Sequence, residues 1–168
     1  PQVITEEVPL SKEQEELTQQ LVDDLVTMVQ SNEIEATTAS TLAQKMLQVA
    51  GGAVRAKDGT AVRIDATPKL DKLVDILHRT PRKKVVFSSF TAINDRLVEH
   101  ISNAGFTCEK IDGSVTGSKR SDILHEFLDG EEPHVLVCHP RTTAFGVELA
   151  SADYIICYGV PITGAFMY

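Results

Sequence analysis

Apolar residues recur along this chain with two different periods. In "SKEQEELTQQLVDDLVTMVQ", Leu17, Leu21, Leu25 and Val29 return every fourth residue, one apolar face of a helix. Ser11 precedes that run with Gln14 three residues on, a capping box whose side chains satisfy free N–H groups of the first turn. "TLAQKMLQVAGG" predicts a second helix, with Leu42, Met46 and Val49 on one side and Gly51 and Gly52 ending it. "AKDGTAVRID" predicts a short hairpin or loop around the turn pair Asp58-Gly59.

From Thr67 the pattern becomes a regular alternation. "TPKLDKLVDILHR" predicts a helix capped by Thr67, with Pro68 at its first position and Leu70, Leu73, Val74 and Leu77 on a shared face. Four short apolar runs follow, "KKVVFSS", "TCEKI", "HVLVC" and "YIICY". Two amphipathic helices lie between them, one carrying Ile93, Leu97 and Ile101, the other Ile123, Leu124 and Phe127. Short apolar strands joined by helices imply right-handed crossovers and a parallel sheet covered on both faces. The expected fold is an α/β domain over residues 67–168, preceded by a helical lead-in arm over 1–66 that packs on it. No internal repeat or low-complexity segment interrupts this scheme.

Composition narrows the function. With 168 residues, 42% hydrophobic and 24% charged, the chain suits one domain plus an appendage. It has no apolar run near the ~18 residues of a membrane span, so no membrane partner is expected. A net charge of −8 argues against general affinity for nucleic acid, because non-specific phosphate binding needs clustered Lys and Arg; any such contact is local. Cys108, Cys138 and Cys157 have neither metal-ligand nor disulfide spacing and read as buried reduced thiols, which suits the cytoplasm. The start at Pro1 and the stop at "GAFMY" lead us to expect a fragment of a longer polypeptide.

In an open parallel sheet, ligands bind beyond the carboxyl ends of the strands, where loops and helix starts converge. The four strands exit into Ser88-Ser89-Phe90-Thr91, Asp112-Gly113-Ser114, His139-Pro140-Arg141-Thr142-Thr143 and Gly159-Val160-Pro161. Hydroxyls and free N–H groups at helix starts suit phosphate oxygens, and an arginine adds charge and paired donors. Any one of these serines or threonines alone reads as a plain helix cap; their meeting on one edge points to a phosphate-rich ligand.

Other chemistries fail on spacing. "GSVTGSK" places three residues between Gly113 and Gly117 where a P-loop needs four, and puts serine before Lys119 instead of after it. Cys138 and His139 are adjacent on an extended strand, so their side chains point to opposite faces and make no metal pair. His125-Glu126 lacks the second histidine of a zinc protease, no serine has a nucleophile-elbow context, and no cysteine has an obvious histidine partner. No catalytic residue is identified.

Taken in order, "VPLSKEQEEL", "KLDKLVDIL", "KVVFSSFT", "IDGSVTGSKRSDILHEFLDG" and "HPRTTAFGVELASADYIICYGVP" resemble the second RecA-like lobe of superfamily 2 helicases. The resemblance is strongest to the Swi/Snf-type DNA-dependent ATPases and covers most of the chain. "KVVFSSFT" looks like motif IV and the last stretch like motif V, truncated before motif VI. The resemblance implies backbone contacts to DNA from Ser88, Ser89, Phe90, Thr91, Gly113 and Ser114. It places Arg141 and Thr142 by the DNA or bracing motif V, and turns Gly146 and Glu148 toward the nucleotide. Glu148 stands where the Swi/Snf pattern has asparagine and resembles the acid that other superfamily 2 members place near the ribose. His139, Thr143 and Ala144 also depart from the commonest residues, and they favour the compact versions of phages and mobile elements.

The resemblance further implies that ATP and Mg²⁺ serve the full-length protein, with neither bound tightly by this piece alone. It implies an N-terminal RecA-like lobe as partner, DNA as the track, and the cytoplasm of a bacterial or phage-infected cell. Phosphoryl transfer depends on positioned Lys, Mg²⁺ and Arg charge, so the isolated piece is expected to hydrolyse no ATP. Two further readings stand beside this one. A doubly wound nucleotide or cofactor domain would want a glycine-rich turn after its first strand, which "VVFSSFT" lacks. A non-catalytic interaction module would use the acids Glu13, Glu15, Glu16, Asp23 and Asp24, which otherwise read as a solvated helix face.

Overall fold

The computed structural model describes residues 2–31, 36–143 and 152–159. An extended lead-in is followed by α1 (Lys12–Gln30) and α2 (Ala36–Gly51), then by a small antiparallel hairpin of β1 (Ala53–Arg55) and β2 (Ala61–Arg63). The hairpin or loop expected around Asp58-Gly59 is thus a hairpin within the mostly helical lead-in segment. Next come α3 (Thr67–Leu77), β3 (Lys84–Phe87), α4 (Thr91–Asn103), β4 (Cys108–Ile111), α5 (Gly117–Asp129), β5 (Val135–Cys138), the short α6 (Pro140–Thr143) and β6 (Tyr154–Cys157).

The four strands β3 to β6 form one parallel sheet in the order β4-β5-β3-β6. Strand alternation builds two cores on its two faces. Val86, Val135 and Val137 point one way and meet Leu70, Leu73 and Leu77 of α3 with Ile93, Leu97 and Ile101 of α4. Val85, Leu136 and Cys138 point the other way and meet Ile123 and Phe127 of α5. Every side chain of β5 is buried, the near-continuous apolar signature of a strand covered on both faces.

The lead-in segment shares the first of these cores. Ala53 and Ala66 are buried in it, and Tyr158, just past β6, reaches back so that its hydroxyl donates to the Gly51 carbonyl at 3.4 Å. Lys69 lies 4.6 Å over the Tyr158 ring and donates to the Ala50 carbonyl. The expected capping box is present, with Ser11 N–H donating to Gln14 Oε1 at 2.9 Å and Gln14 N–H to Ser11 Oγ at 3.1 Å. It also has a tertiary function. Gln14 Nε2 donates to the carbonyls of Val49 and Ala50, and the Ser11 hydroxyl donates to the Asp65 carbonyl, tying α1 to α2 and to the entrance of α3.

Two local expectations change. Thr67 is the first residue of α3 and not its cap; the cap position is Ala66, and the Thr67 hydroxyl and N–H donate to the Asp65 carboxylate instead. Asp65, two residues upstream, outcompetes the threonine because its fixed charge makes stronger hydrogen bonds. The cysteines are not uniformly buried: Cys138 is buried, Cys108 half-buried and Cys157 exposed. Cys157 ends β6, one of the two edge strands among the described residues and the one whose side chains are mostly exposed.

Candidate nucleic-acid interface

The carboxyl ends of the four strands lie side by side, and backbone hydrogen bonds hold them in line one residue beyond the ladder. Ser88 N–H donates to the Cys138 carbonyl, His139 N–H to the Ile111 carbonyl and Tyr158 N–H to the Phe87 carbonyl. The exits named from the sequence are thus neighbours on one edge, in the spatial order β4, β5, β3, β6.

Their side chains are placed differently. At the β3 exit, Ser88 is only 3% exposed, so its hydroxyl is closed to solvent here, whereas Ser89, Phe90 and Thr91 are half-exposed. The cap position of α4 is Phe90, which has no side-chain hydroxyl, so none of these serines or threonines caps the helix. The Ile93 N–H donates to the Phe90 carbonyl, and the Thr91 and Ala92 N–H groups at the α4 start have no side-chain cap, where the helix dipole favours negative charge. The α5 start is similar: Thr116 holds the cap position without a side-chain cap bond.

At the β4 exit, Gly113 and Ser114 are exposed. Asp112, named from the sequence as part of this exit but given no role of its own, organises them. Its buried carboxylate accepts the Ser114 N–H at 2.9 Å and the Ser114 hydroxyl at 2.5 Å through Oδ1, and Lys110 Nζ lies 3.3 Å from Oδ2. Burial pushes the Asp112 carboxyl upward, but the Ser114 donors and the Lys110 ammonium outweigh that and hold it below the usual carboxylate range. Lys110 also pairs with Asp95 of α4. Burial pulls the ammonium downward, and the two carboxylates more than compensate, leaving it above an ordinary lysine. The only sequence clue was an acid placed two residues before Ser114, the spacing of a side-chain-closed turn.

At the β5 exit, Arg141 is exposed on α6, and its backbone N–H donates to His139 Nδ1 at 3.2 Å. The backbone of Thr142 lies in α6 as well. Gly146 and Glu148, expected to face the nucleotide, lie outside the described residues, as do Val160 and Pro161 of the last exit. The structure thus brings Ser89, Thr91, Gly113, Ser114 and Arg141 to one edge. A groove of about 480 Å³ lined by Asp71, Asp75, His78, His100 and Asn103 lies between α3 and α4, away from every exit.

The parallel sheet with helices on both faces has the architecture of a RecA-like helicase lobe. The chain belongs to the family described as "Helicase conserved C-terminal domain", which matches residues 68–167. The fold is similar to that of the Sulfolobus solfataricus SWI2/SNF2 ATPase C-terminal domain, with TM-score 0.73 and 17% identity over 89% of this chain and 68% of that one. It is similar too to the Sulfolobus solfataricus SWI2/SNF2 ATPase core in complex with dsDNA, with TM-score 0.71 and 17% identity over 90% of this chain and 33% of that one.

Among relatives by sequence, a chromodomain-helicase-DNA-binding protein 3 homolog of Caenorhabditis elegans is 34% identical over 90 residues, 53% of this chain and 5% of its own length. The lymphoid-specific helicase of Homo sapiens is 28% identical over 89 residues, 53% of this chain and 11% of its own length. The chain therefore spans a small fraction of the relatives it matches. These findings agree with the Swi/Snf-type second lobe that the motifs resembled. The relatives come from animals and an archaeon, so the phage-like branch suggested by His139, Thr143 and Ala144 has no support among them.

Proposed function

We propose that this chain is the second motor lobe of an ATP-dependent DNA translocase or helicase, in which the strand-exit edge grips one DNA backbone. The observation that carries this reading is the single edge where uncapped α4 N–H groups, the Gly113-Ser114 turn and exposed Arg141 converge. Such groups bind phosphates and sugars, which fix register without reading sequence, so DNA preference by sequence is weak. Support comes from the dsDNA-bound state of one protein of the same fold.

In this reading ATP sits between this lobe and an N-terminal RecA-like lobe, with Gly146 and Glu148 on this side. Mg²⁺ and the residues of phosphoryl transfer are, in this reading, supplied by the N-terminal lobe. Closure of the two lobes on ATP and reopening after hydrolysis ratchets the backbone past the edge.

The test is ATP hydrolysis by the full-length parent, alone and with duplex or single-stranded DNA, beside this chain as control. Hydrolysis accelerated by DNA in the parent and absent from the isolated lobe supports the motor reading. A parent that is silent under every condition would favour an interaction module instead.

A further inference from the structure

The Asp95–Lys110–Asp112 chain joins the β3 and β4 prongs of the proposed DNA edge, on either side of the β5 exit. Cys108, Lys110 and Asp112 alternate with Ile111 along β4. Ile111 is buried in the core facing α5, so Lys110 and Asp112 fall on the α4 side. There Lys110, with a side chain 26% exposed, binds Asp95 of α4 on one flank and the fully buried Asp112 carboxylate on the other. Asp95 stands one helical turn after Thr91, the first residue of α4. Asp112 in turn closes the Gly113-Ser114 turn. One ammonium is thus shared between a carboxylate carried by the second turn of α4 and a carboxylate that fixes the β4 exit.

We infer that Lys110 is a positioning residue that holds the α4 start and the Gly113-Ser114 turn at a fixed spacing, so that both engage phosphates of one DNA strand together. This rests on the DNA reading above. Two contacts on a stiff backbone add only if their separation matches the phosphate spacing, and a misplacement of about 1 Å at such a site costs up to about a hundredfold. The bridge is a poor candidate for stability alone, because its Asp95 arm is 58% exposed and exposed ion pairs contribute little.

The exposure of Asp95 allows a test with an unusual sign. Asp95→Asn removes a negative charge from a surface that approaches DNA, so electrostatics alone would tighten DNA binding. The coupling account predicts the opposite: in the full-length parent, the duplex concentration for half-maximal ATPase stimulation rises about tenfold while the rate at saturating DNA stays within about twofold. Lys110→Met should show the same split, and Lys110→Arg should recover most of it. The dependence of binding on salt should keep its slope in every variant, since no phosphate contact is removed. Unchanged or tighter half-saturation in Asp95→Asn, at a temperature where it is folded by circular dichroism, overturns the inference and leaves the bridge a structural brace. If DNA fails to stimulate the wild-type parent at all, the DNA reading falls first, and the positioning role falls with it.

Discussion

Replacing Gln14 by alanine tests whether the capping box ties α1 to the end of α2. Gln14 is 1% exposed. Its amide accepts from the Ser11 N–H and donates to the carbonyls of Val49 at 2.8 Å and Ala50 at 3.3 Å. Loss of the reciprocal cap bond costs about 1 kcal/mol. The two carbonyls keep other donors, Gly52 N–H at Val49 and Lys69 at Ala50, so the penalty for orphaned acceptors falls at the low end of about 1–3 kcal/mol. The sum is about 2–3 kcal/mol. The chain contains no tryptophan, so urea unfolding followed by far-UV circular dichroism is the assay, with the midpoint falling at unchanged slope. Gln19→Ala is the control, because that amide meets only Asp23 on the exposed surface and should change stability by less than about 0.5 kcal/mol. If Gln14→Ala behaves like Gln19→Ala, the capping box is only local and the tie between α1 and α2 carries no stability.

Other outcomes follow from the same geometry. Among the described residues, both polar atoms of the buried Asn94 side chain lack a partner, so Asn94→Leu should raise stability by about 1 kcal/mol, read as a higher urea midpoint. Burial pushes the Cys108 and Cys138 thiols up to about 12, so iodoacetamide at neutral pH should label exposed Cys157 and spare both of them, as checked by peptide mass spectrometry. The Asp112 carboxyl is depressed in the folded state, so its contribution is present above the ordinary carboxylate range near ~3.9 and is lost as pH falls through the lower folded value. The stability gap between wild type and Asp112→Asn should accordingly be widest near neutral pH and close in acid; a gap independent of pH would count against the charged role.

Local chemistry made part of this molecule legible. The period of Leu70, Leu73 and Leu77 marked the buried face of α3, and Asp58-Gly59 marked the β1–β2 turn, where Gly59 takes φ +86°. The alternation of apolar strands with helices was enough for a parallel sheet covered on both faces. Strand order was not readable, because β4-β5-β3-β6 is fixed by which helix crosses which strand, and periodicity within a strand does not record its neighbour. The site was half readable for a similar reason. Glycine, serine and arginine at strand exits show themselves by position, whereas Lys110 and Asp95 are fifteen residues apart and read singly as ordinary surface charges. The Ser88 hydroxyl, expected on the DNA side, lies buried one residue past β3 because the hydrogen bond from its N–H to Cys138 extends the ladder.

The central claim is that the strand-exit edge holds a DNA backbone, and Arg141 probes it most directly. It is exposed on α6, so Arg141→Ala should leave the fold within about 0.5 kcal/mol of wild type. The decisive measurement is equilibrium binding of the full-length parent and its Arg141→Ala variant to duplexes of unrelated sequence across a salt series. The account predicts weaker binding by a similar factor on every duplex, with the salt slope reduced by about one. An unchanged affinity and slope in a folded variant would contradict it.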